Sequence, residues 1–90
     1  MKVIYGEVGS GKTKRLVYMS NESQNMIVTY SRERAEKLID KAERYGVNIP
    51  KPLVIGEDFI DTGKTYIIDN IEKVMEKLLG SSIECISYTT

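Results

Sequence analysis

The sequence predicts a single α/β domain over residues 1–90, built as a three-layer sandwich in which helices cover a short, mostly parallel sheet of four or five strands. Short runs of β-branched and aromatic residues alternate with segments whose apolar residues recur at helical spacing, and this alternation is typical of a parallel sheet with helical crossovers. The chain also has the length of one small domain, and its 41% apolar and 29% charged residues are typical of globular proteins.

The predicted strands are short apolar runs bounded by turn formers. Residues 26–30 (MIVTY) are nearly continuously apolar, as expected of a strand buried on both faces of a parallel sheet. The predicted strands are 1–5, 26–30, 65–69 and 83–88, with 53–55 as a short fifth candidate. Cys85 falls within the last run and is expected to be a buried strand residue.

Helical periodicity predicts three helices, at residues 12–19, 32–45 and 71–79. Ser31 is a favourable N-cap for the second helix, and Gly46 and Gly80 are favourable C-terminal stops for the second and third. The apolar residues of the third helix are expected to pack as core against the sheet. Segments 20–25 and 48–52 are predicted to be a turn and a linker, because they contain turn formers and prolines.

Two charged clusters each allow a functional interpretation and a plainer one. The second helix carries the basic residues Arg32, Arg34, Lys37, Lys41 and Arg44. They could contact nucleic acid or another subunit, but the interspersed acids favour a solvated helix face. The loop after residue 56 carries the acidic residues Glu57, Asp58 and Asp61. They could assist catalysis or hold a metal, and a solvated loop is again the favoured interpretation.

The overall composition limits the classes of partner. Thirteen Lys and Arg balance thirteen Asp and Glu, so any nucleic-acid binding would need a local patch, since there is no net attraction. One cysteine and no histidine exclude an internal disulfide and the common zinc spacings. Since no apolar stretch has the form of a signal peptide or a membrane span, we expect a cytoplasmic protein without membrane association.

The most informative stretch is GEVGSGKT at residues 6–13, which fits the phosphate-binding pattern G-x-x-x-x-G-K-[ST]. Its glycines let backbone N–H groups approach phosphate oxygens, and the helix that follows adds the partial positive charge of its N-terminus. Lys12 is expected to reach the β- and γ-phosphates, and the Thr13 hydroxyl to bind the accompanying Mg²⁺. The residues predicted to contact the nucleotide are Gly6, Glu7, Val8, Gly9, Ser10, Gly11, Lys12, Thr13 and Lys14. An ordinary glycine-rich turn is the plainer alternative.

A second informative residue is Asp69, which ends the predicted strand 65–69. Open α/β sheets place their ligand sites at the carboxyl ends of strands. An acid there is predicted to hold Mg²⁺, directly or through water. Asp69 or Asn70 would also serve as the N-cap of the helix that follows, and the two roles are compatible.

Together these stretches resemble the P-loop NTPases: GEVGSGKT is similar to the Walker A motif, and TYIIDN at residues 65–70 is similar to the Walker B strand. The layout is similar to the additional-strand branch of that family, which includes AAA-type, RecA-like and helicase ATPases. This resemblance implies the strand order 1-4-3-2 for the strands at 1–5, 26–30, 65–69 and 83–88. It also implies a γ-phosphate sensor at Ser87, Thr89 or Thr90.

The sequence departs from the family in the residues that serve hydrolysis. Asn70 follows the Walker B aspartate where the family usually has an acid, and an amide can align a water but cannot accept its proton at neutral pH. Glu72 is the weaker candidate for activating water, and Lys12 completes the candidate catalytic set. The sequence also ends where the family has a fifth strand and a lid or arginine finger. A missing finger can cost on the order of 10³ to 10⁵ in rate unless another subunit supplies one.

The leading hypothesis is binding of a nucleoside triphosphate, with ATP as the first candidate, together with Mg²⁺, accompanied by slow or partner-stimulated hydrolysis. A nucleotide-binding regulatory or assembly subunit without turnover is the alternative. A small nucleotide kinase and a DNA-associated ATPase helper rank lower, because there is little room for a second pocket and no net positive charge. The first strand is predicted at a sheet edge, and exposed edges favour pairing, so we also expect a homo-oligomer or a larger protein partner.

Overall fold

The computed structural model of the chain describes residues 11–85 and residue 87. Its elements follow in the order α1 (Lys12–Ser23), β1 (Ile27–Thr29), α2 (Arg32–Tyr45), β2 (Leu53–Val54), β3 (Ile67–Ile68) and α3 (Ile71–Leu79). The predicted strand 1–5 and the loop residues 6–10 lie outside the described residues, as do residue 86 and residues 88–90. None of the described helices is long and apolar enough to span a bilayer.

The three strands form a parallel sheet in the order β2-β1-β3. Val28 in the central strand pairs with Leu53 on one side and with Ile68 on the other. The Asp69 N–H donates to the Val28 carbonyl at 2.9 Å, which continues the pairing of β1 and β3 by one residue. All three residues of β1 are buried, as its nearly continuous apolar run predicted.

The predicted three-layer sandwich of four or five strands with the order 1-4-3-2 is wrong for the described chain, which has three strands. Residues 83–85 and Ser87 belong to no strand, and Cys85 is exposed, contrary to the prediction of a buried strand residue. This run mixes polar and apolar residues, so the pattern alone does not bury it, and strand formation depends on neighbours that pack against it. The strand 26–30, predicted at an edge, is central because β2 pairs with its other side.

The first helix is longer than predicted, because α1 continues through the segment predicted to be a turn and ends at Ser23. Its polar residues form local hydrogen bonds to the backbone: the Ser20 hydroxyl donates to the Asn25 carbonyl at 2.7 Å, and the Ser23 hydroxyl donates to the Met19 carbonyl at 2.8 Å. Gln24 then takes a left-handed conformation with φ of 59°, and the helix ends there.

The second helix has the predicted bounds. The Ser31 hydroxyl accepts a hydrogen bond from the Arg34 N–H at 3.1 Å, as an N-cap does. Gly46 ends the helix with φ of 69°, a conformation that glycine adopts without the strain of a Cβ.

The hydrophobic core lies where α1, β1 and α2 meet, and is formed by Val17, Ile27, Leu38 and Ala42. The third helix contributes less than predicted: Val74 is buried, whereas Ile71, Leu78 and Leu79 are 49%, 57% and 62% exposed. The prediction that the whole apolar face of α3 forms core is therefore wrong. Within the described residues the sheet ends at β3, so part of this face has no strand to cover.

Candidate functional site

Four side chains from different parts of the chain meet at the carboxyl ends of β1 and β3. Thr29 is the last residue of β1, and Asp69 directly follows β3. Since the two strands are parallel and adjacent, their carboxyl ends lie at the same edge of the sheet. Thr13 comes from the first turn of α1 and Arg34 from the first turn of α2. We call these four residues the Arg34 network.

The guanidinium of Arg34 joins the network. Its Nε donates to Asp69 Oδ2 at 2.8 Å, and its Nη2 donates both to Asp69 Oδ1 at 3.2 Å and to Thr13 Oγ1 at 3.0 Å. The Thr29 hydroxyl donates to Asp69 Oδ2 at 2.8 Å. Both carboxylate oxygens of Asp69 are therefore engaged, and Thr13 is connected to Asp69 through one nitrogen atom.

The ion pair at the centre of this network is largely shielded from water. The side chain of Asp69 is 5% exposed and that of Arg34 is 23% exposed. The hydrogen bonds to Asp69 raise the pKa of Arg34 above its ordinary value, and this outweighs the opposing effect of burial. The guanidinium is thus a fixed positive charge, and a buried charge of this kind is tolerated because it is paired and hydrogen-bonded.

The residues of the phosphate-binding pattern that the structure describes lie at the start of α1. Gly11 has φ of 85°, which suits glycine, and precedes a helix with no side-chain cap and no acid in its first turn. Lys12 is half-buried in that turn, while Lys14 is exposed. The ammonium of Lys14 lies over the ring of Tyr45 at 5.5 Å and that of Tyr18 at 5.9 Å. The predicted loop residues Gly6, Glu7, Val8, Gly9 and Ser10 lie outside the described residues.

The two predicted candidates for handling the attacking water lie at the start of α3. Asn70 is the N-cap of α3, with φ of 59°, and its Oδ1 accepts a hydrogen bond from the Lys73 N–H at 3.3 Å. Of the two predicted capping residues it is thus Asn70, not Asp69, that caps the helix. Glu72 lies exposed in the first turn of α3 and is not one of the four residues of the network. Of the predicted sensors, Ser87 is exposed, while Thr89 and Thr90 lie outside the described residues.

The acidic loop after β2 forms ion pairs with two helices. Asp58 Oδ2 lies 3.1 Å from Arg32 Nη2 of α2, and Glu57 Oε2 lies 2.7 Å from Lys77 Nζ of α3. The backbone N–H of Val54 donates to Asp58 Oδ2 at 2.8 Å, and this bond, more than the charge of Arg32, holds the pKa of Asp58 below its ordinary value. These acids connect the end of β2 to both helices.

The prediction that Arg34 belongs to a solvated basic face is wrong, because its side chain bridges Thr13 and Asp69. One signal in the sequence could have identified it. The partial positive charge at a helix N-terminus disfavours cations in the first turn, so an arginine just after the N-cap calls for an acidic partner. Arg32 lies in the same turn and also has an acidic partner, because it forms an ion pair with Asp58.

The donor set of the network fits Mg²⁺ under one condition. A hydroxyl and a carboxylate are oxygen ligands of the kind this ion takes, and Mg²⁺ is usually held by one or two carboxylates together with substrate phosphates. In residues 11–85 and 87, no three or more His, Cys, Asp or Glu side chains group together in a way that could hold a metal. Thr13 and Asp69 therefore fit Mg²⁺ as part of a complex in which phosphates supply further ligands.

No protein-family model matches the chain, and no curated protein or solved structure matches it significantly. Function must therefore be inferred from the phosphate-binding pattern and the Arg34 network.

Proposed function

We propose that the protein binds a nucleoside triphosphate, with ATP as the first candidate, together with Mg²⁺, at the N-terminus of α1. One observation carries this proposal. Thr13, the last residue of the phosphate-binding pattern, and Asp69, the acid after β3, both accept hydrogen bonds from Nη2 of Arg34, at 3.0 and 3.2 Å. These are the two residues to which the Walker A and Walker B resemblance assigns the metal. Their proximity is what that assignment requires.

The charge around the start of α1 also supports the proposal. Its first turn contains Lys12, Lys14 and Arg15 and no acid. A bound polyphosphate would be attracted both by these side chains and by the helix N–H groups.

In this proposal each residue has a separable role. Lys12 and the backbone N–H groups at the start of α1 would bind the phosphates. Thr13 and Asp69 would hold Mg²⁺ when it arrives with the nucleotide, and the ion would neutralise phosphate charge. Gly6 to Ser10 would supply the remainder of the phosphate cradle, as the pattern implies.

Nucleotide binding without rapid turnover is the form of the proposal that Asn70 favours. Its side-chain oxygen already caps α3, and an amide there cannot take a proton from water. Hydrolysis would then depend on Glu72 or on a group supplied by a partner.

Thermal unfolding with and without Mg-ATP tests binding. Ligand at 100 times its dissociation constant stabilises a protein by about 2.7 kcal/mol, so saturating Mg-ATP should raise the melting temperature clearly. The matched variants are Thr13→Ser, which keeps the hydroxyl and should retain the shift, and Thr13→Val, which should lose most of it. No shift in the wild type with millimolar Mg-ATP or Mg-GTP would refute the proposal.

Phosphate release separates a hydrolase from a binding module. If the protein hydrolyses ATP, Lys12→Ala should abolish a measurable wild-type rate. If it only binds, neither protein should release phosphate, and Asn70→Asp, which retains a capping oxygen and adds an acid, is the variant most suited to create activity.

A further inference from the structure

Arg34 already contacts the two residues that the proposed metal site would use. Its Nη2 lies between Thr13 Oγ1 and Asp69 Oδ1, at 3.0 and 3.2 Å, and its Nε contacts the second carboxylate oxygen at 2.8 Å. Thr29 donates to that second oxygen as well. The arginine charge thus lies in the space between the hydroxyl and the carboxylate.

A guanidinium and a divalent cation cannot share this space. Mg²⁺ holds its oxygen ligands at 2.0 to 2.1 Å, and it would therefore have to lie closer to Asp69 than the arginine nitrogens do. Two cations on one carboxylate repel each other, and the repulsion is strong because Asp69 is 5% exposed and is therefore little screened by water.

The pairing also balances the charge of a buried carboxylate. The carboxylate of Asp69 is buried and therefore requires a counter-charge, which Arg34 supplies through two hydrogen bonds. The same contacts fix the orientation of the carboxylate and hold the Thr13 hydroxyl towards it.

We infer that Arg34 is a positioning residue that occupies the place of the metal between Thr13 and Asp69 in the nucleotide-free protein. Mg²⁺ alone is then excluded, and Mg²⁺ that enters with a nucleotide displaces the guanidinium from Asp69. The displacement rests on the proposed function, whereas the exclusion of metal by Arg34 does not.

Nuclear magnetic resonance of the ¹⁵N-labelled wild-type chain tests the displacement directly. The Nε–H signal of Arg34, identified by its absence in Arg34→Lys, should be unchanged by Mg²⁺ alone. Mg-ATP should be added until the chemical shifts of the Gly11, Lys12 and Thr13 amides no longer change. At that point the Nε–H signal of Arg34 should have shifted or disappeared. Saturated amide changes with an unmoved Nε–H signal would overturn the inference and leave nucleotide binding intact. Amides that do not respond to Mg-ATP would instead refute the proposed function and, with it, the displacement.

A titration with Mn²⁺ in the absence of nucleotide tests whether Arg34 excludes the metal. The electron paramagnetic resonance signal of the free ion measures how much Mn²⁺ is bound. Thr13 and Asp69 supply only two ligands without a nucleotide, so Mn²⁺ binding should be weak in both proteins. Arg34→Gln should nevertheless bind Mn²⁺ at least about tenfold more tightly than the wild type, because a positive charge next to Asp69 has been removed. The gain should vanish when Asp69→Asn is added. Arg32→Gln is the matched control, since Arg32 lies in the same turn but pairs with Asp58, and it should behave as the wild type.

Equal Mn²⁺ affinity of Arg34→Gln and the wild type would overturn the exclusion of metal by Arg34. If Arg34→Gln does not fold, Mn²⁺ should restore its helical circular dichroism, because the ion supplies the missing counter-charge. A chain that stays unfolded with Mn²⁺ would count against the exclusion, and the resonance measurement on the wild type remains decisive for the displacement.

Discussion

Arg34 and Asp69 form a bidentate ion pair, with Nε 2.8 Å from Oδ2 and Nη2 3.2 Å from Oδ1. The pair connects the first turn of α2 to the end of β3, and through Thr13 it reaches the start of α1. One contact therefore contributes both to the stability of the fold and to the arrangement of the candidate site. The two contributions can be separated by measuring stability in the absence of nucleotide.

Asp69→Asn should lower the free energy of unfolding by about 3 kcal/mol or more, because it leaves the Arg34 charge largely buried without a counter-charge. Urea denaturation measures the change. Asp61→Asn is the control, since the Asp61–Lys64 pair is 3.7 Å apart with both side chains at least half exposed, and its loss should cost no more than about 1 kcal/mol. Similar losses in the two variants would contradict the importance of the buried pair.

Thr29→Val should be more destabilising than Thr29→Ser. Valine keeps the shape of this fully buried side chain but removes the donor to Asp69, which should cost about 1 to 3 kcal/mol. Serine keeps the hydroxyl and loses one methyl group, for which about 1 kcal/mol is expected. Chemical denaturation of the two variants gives the order, and a larger loss in Thr29→Ser would mean that methyl packing dominates at this position.

Asn70 should tolerate glycine better than alanine. Its φ of 59° costs a residue with a Cβ about 1 to 2 kcal/mol, and alanine also removes the oxygen that caps α3. Glycine takes the conformation freely and is itself an acceptable N-cap, so we expect a loss of less than about 1 kcal/mol. Thermal unfolding followed by circular dichroism should therefore rank wild type, Asn70→Gly and Asn70→Ala in descending stability, and equal losses would contradict the assigned backbone conformation.

Stability should fall in acid partly through Asp58. The Val54 N–H holds the pKa of Asp58 below its ordinary value of 3.8, so the folded state binds this proton less readily than the unfolded state does. The contribution is therefore complete above about pH 5 and is lost as the pH falls through 3.8 and below. Urea midpoints of the wild type and Asp58→Asn should differ by a constant amount near neutral pH and converge in acid. Curves that stay parallel down to the acid limit would contradict this assignment.

The core is expected to depend on α2 far more than on the outer part of α3. Leu38 is fully buried, so Leu38→Ala should cost about 2 to 5 kcal/mol. Leu79 is 62% exposed, so Leu79→Ala, the same chemical change, should cost less than about 1 kcal/mol. Urea denaturation compares the two, and a large loss in Leu79→Ala would show that a partner or another segment covers this face of α3.

Much of the local structure could be predicted from the sequence. Ser31 and Gly46 defined the bounds of α2 because capping chemistry acts within a few residues of each helix end. Helical periodicity predicted the start of α1 at Lys12, which has no side-chain cap, and the capping residues Asn70 and Gly80 defined the bounds of α3. The end of α1 was predicted too early, since the Ser20 hydroxyl donates to the Asn25 carbonyl just beyond the helix and the Ser23 hydroxyl donates to the Met19 carbonyl within it, and neither serine interrupts the helix.

The sequence alone thus determined the three helices, the strands around residues 26–30 and 65–69, the phosphate-binding pattern ending at Thr13, and the position of Asp69 after a strand, because each depends on neighbouring residues. The tertiary structure decided that β2 extends the sheet beside β1, that most of the apolar face of α3 is exposed, and that Arg34 pairs with Asp69. Strand order, burial and the choice of a counter-charge depend on which distant segments meet. Local propensity and periodicity carry little information about which distant segments come into contact, because many arrangements of strands and helices satisfy the same sequence pattern.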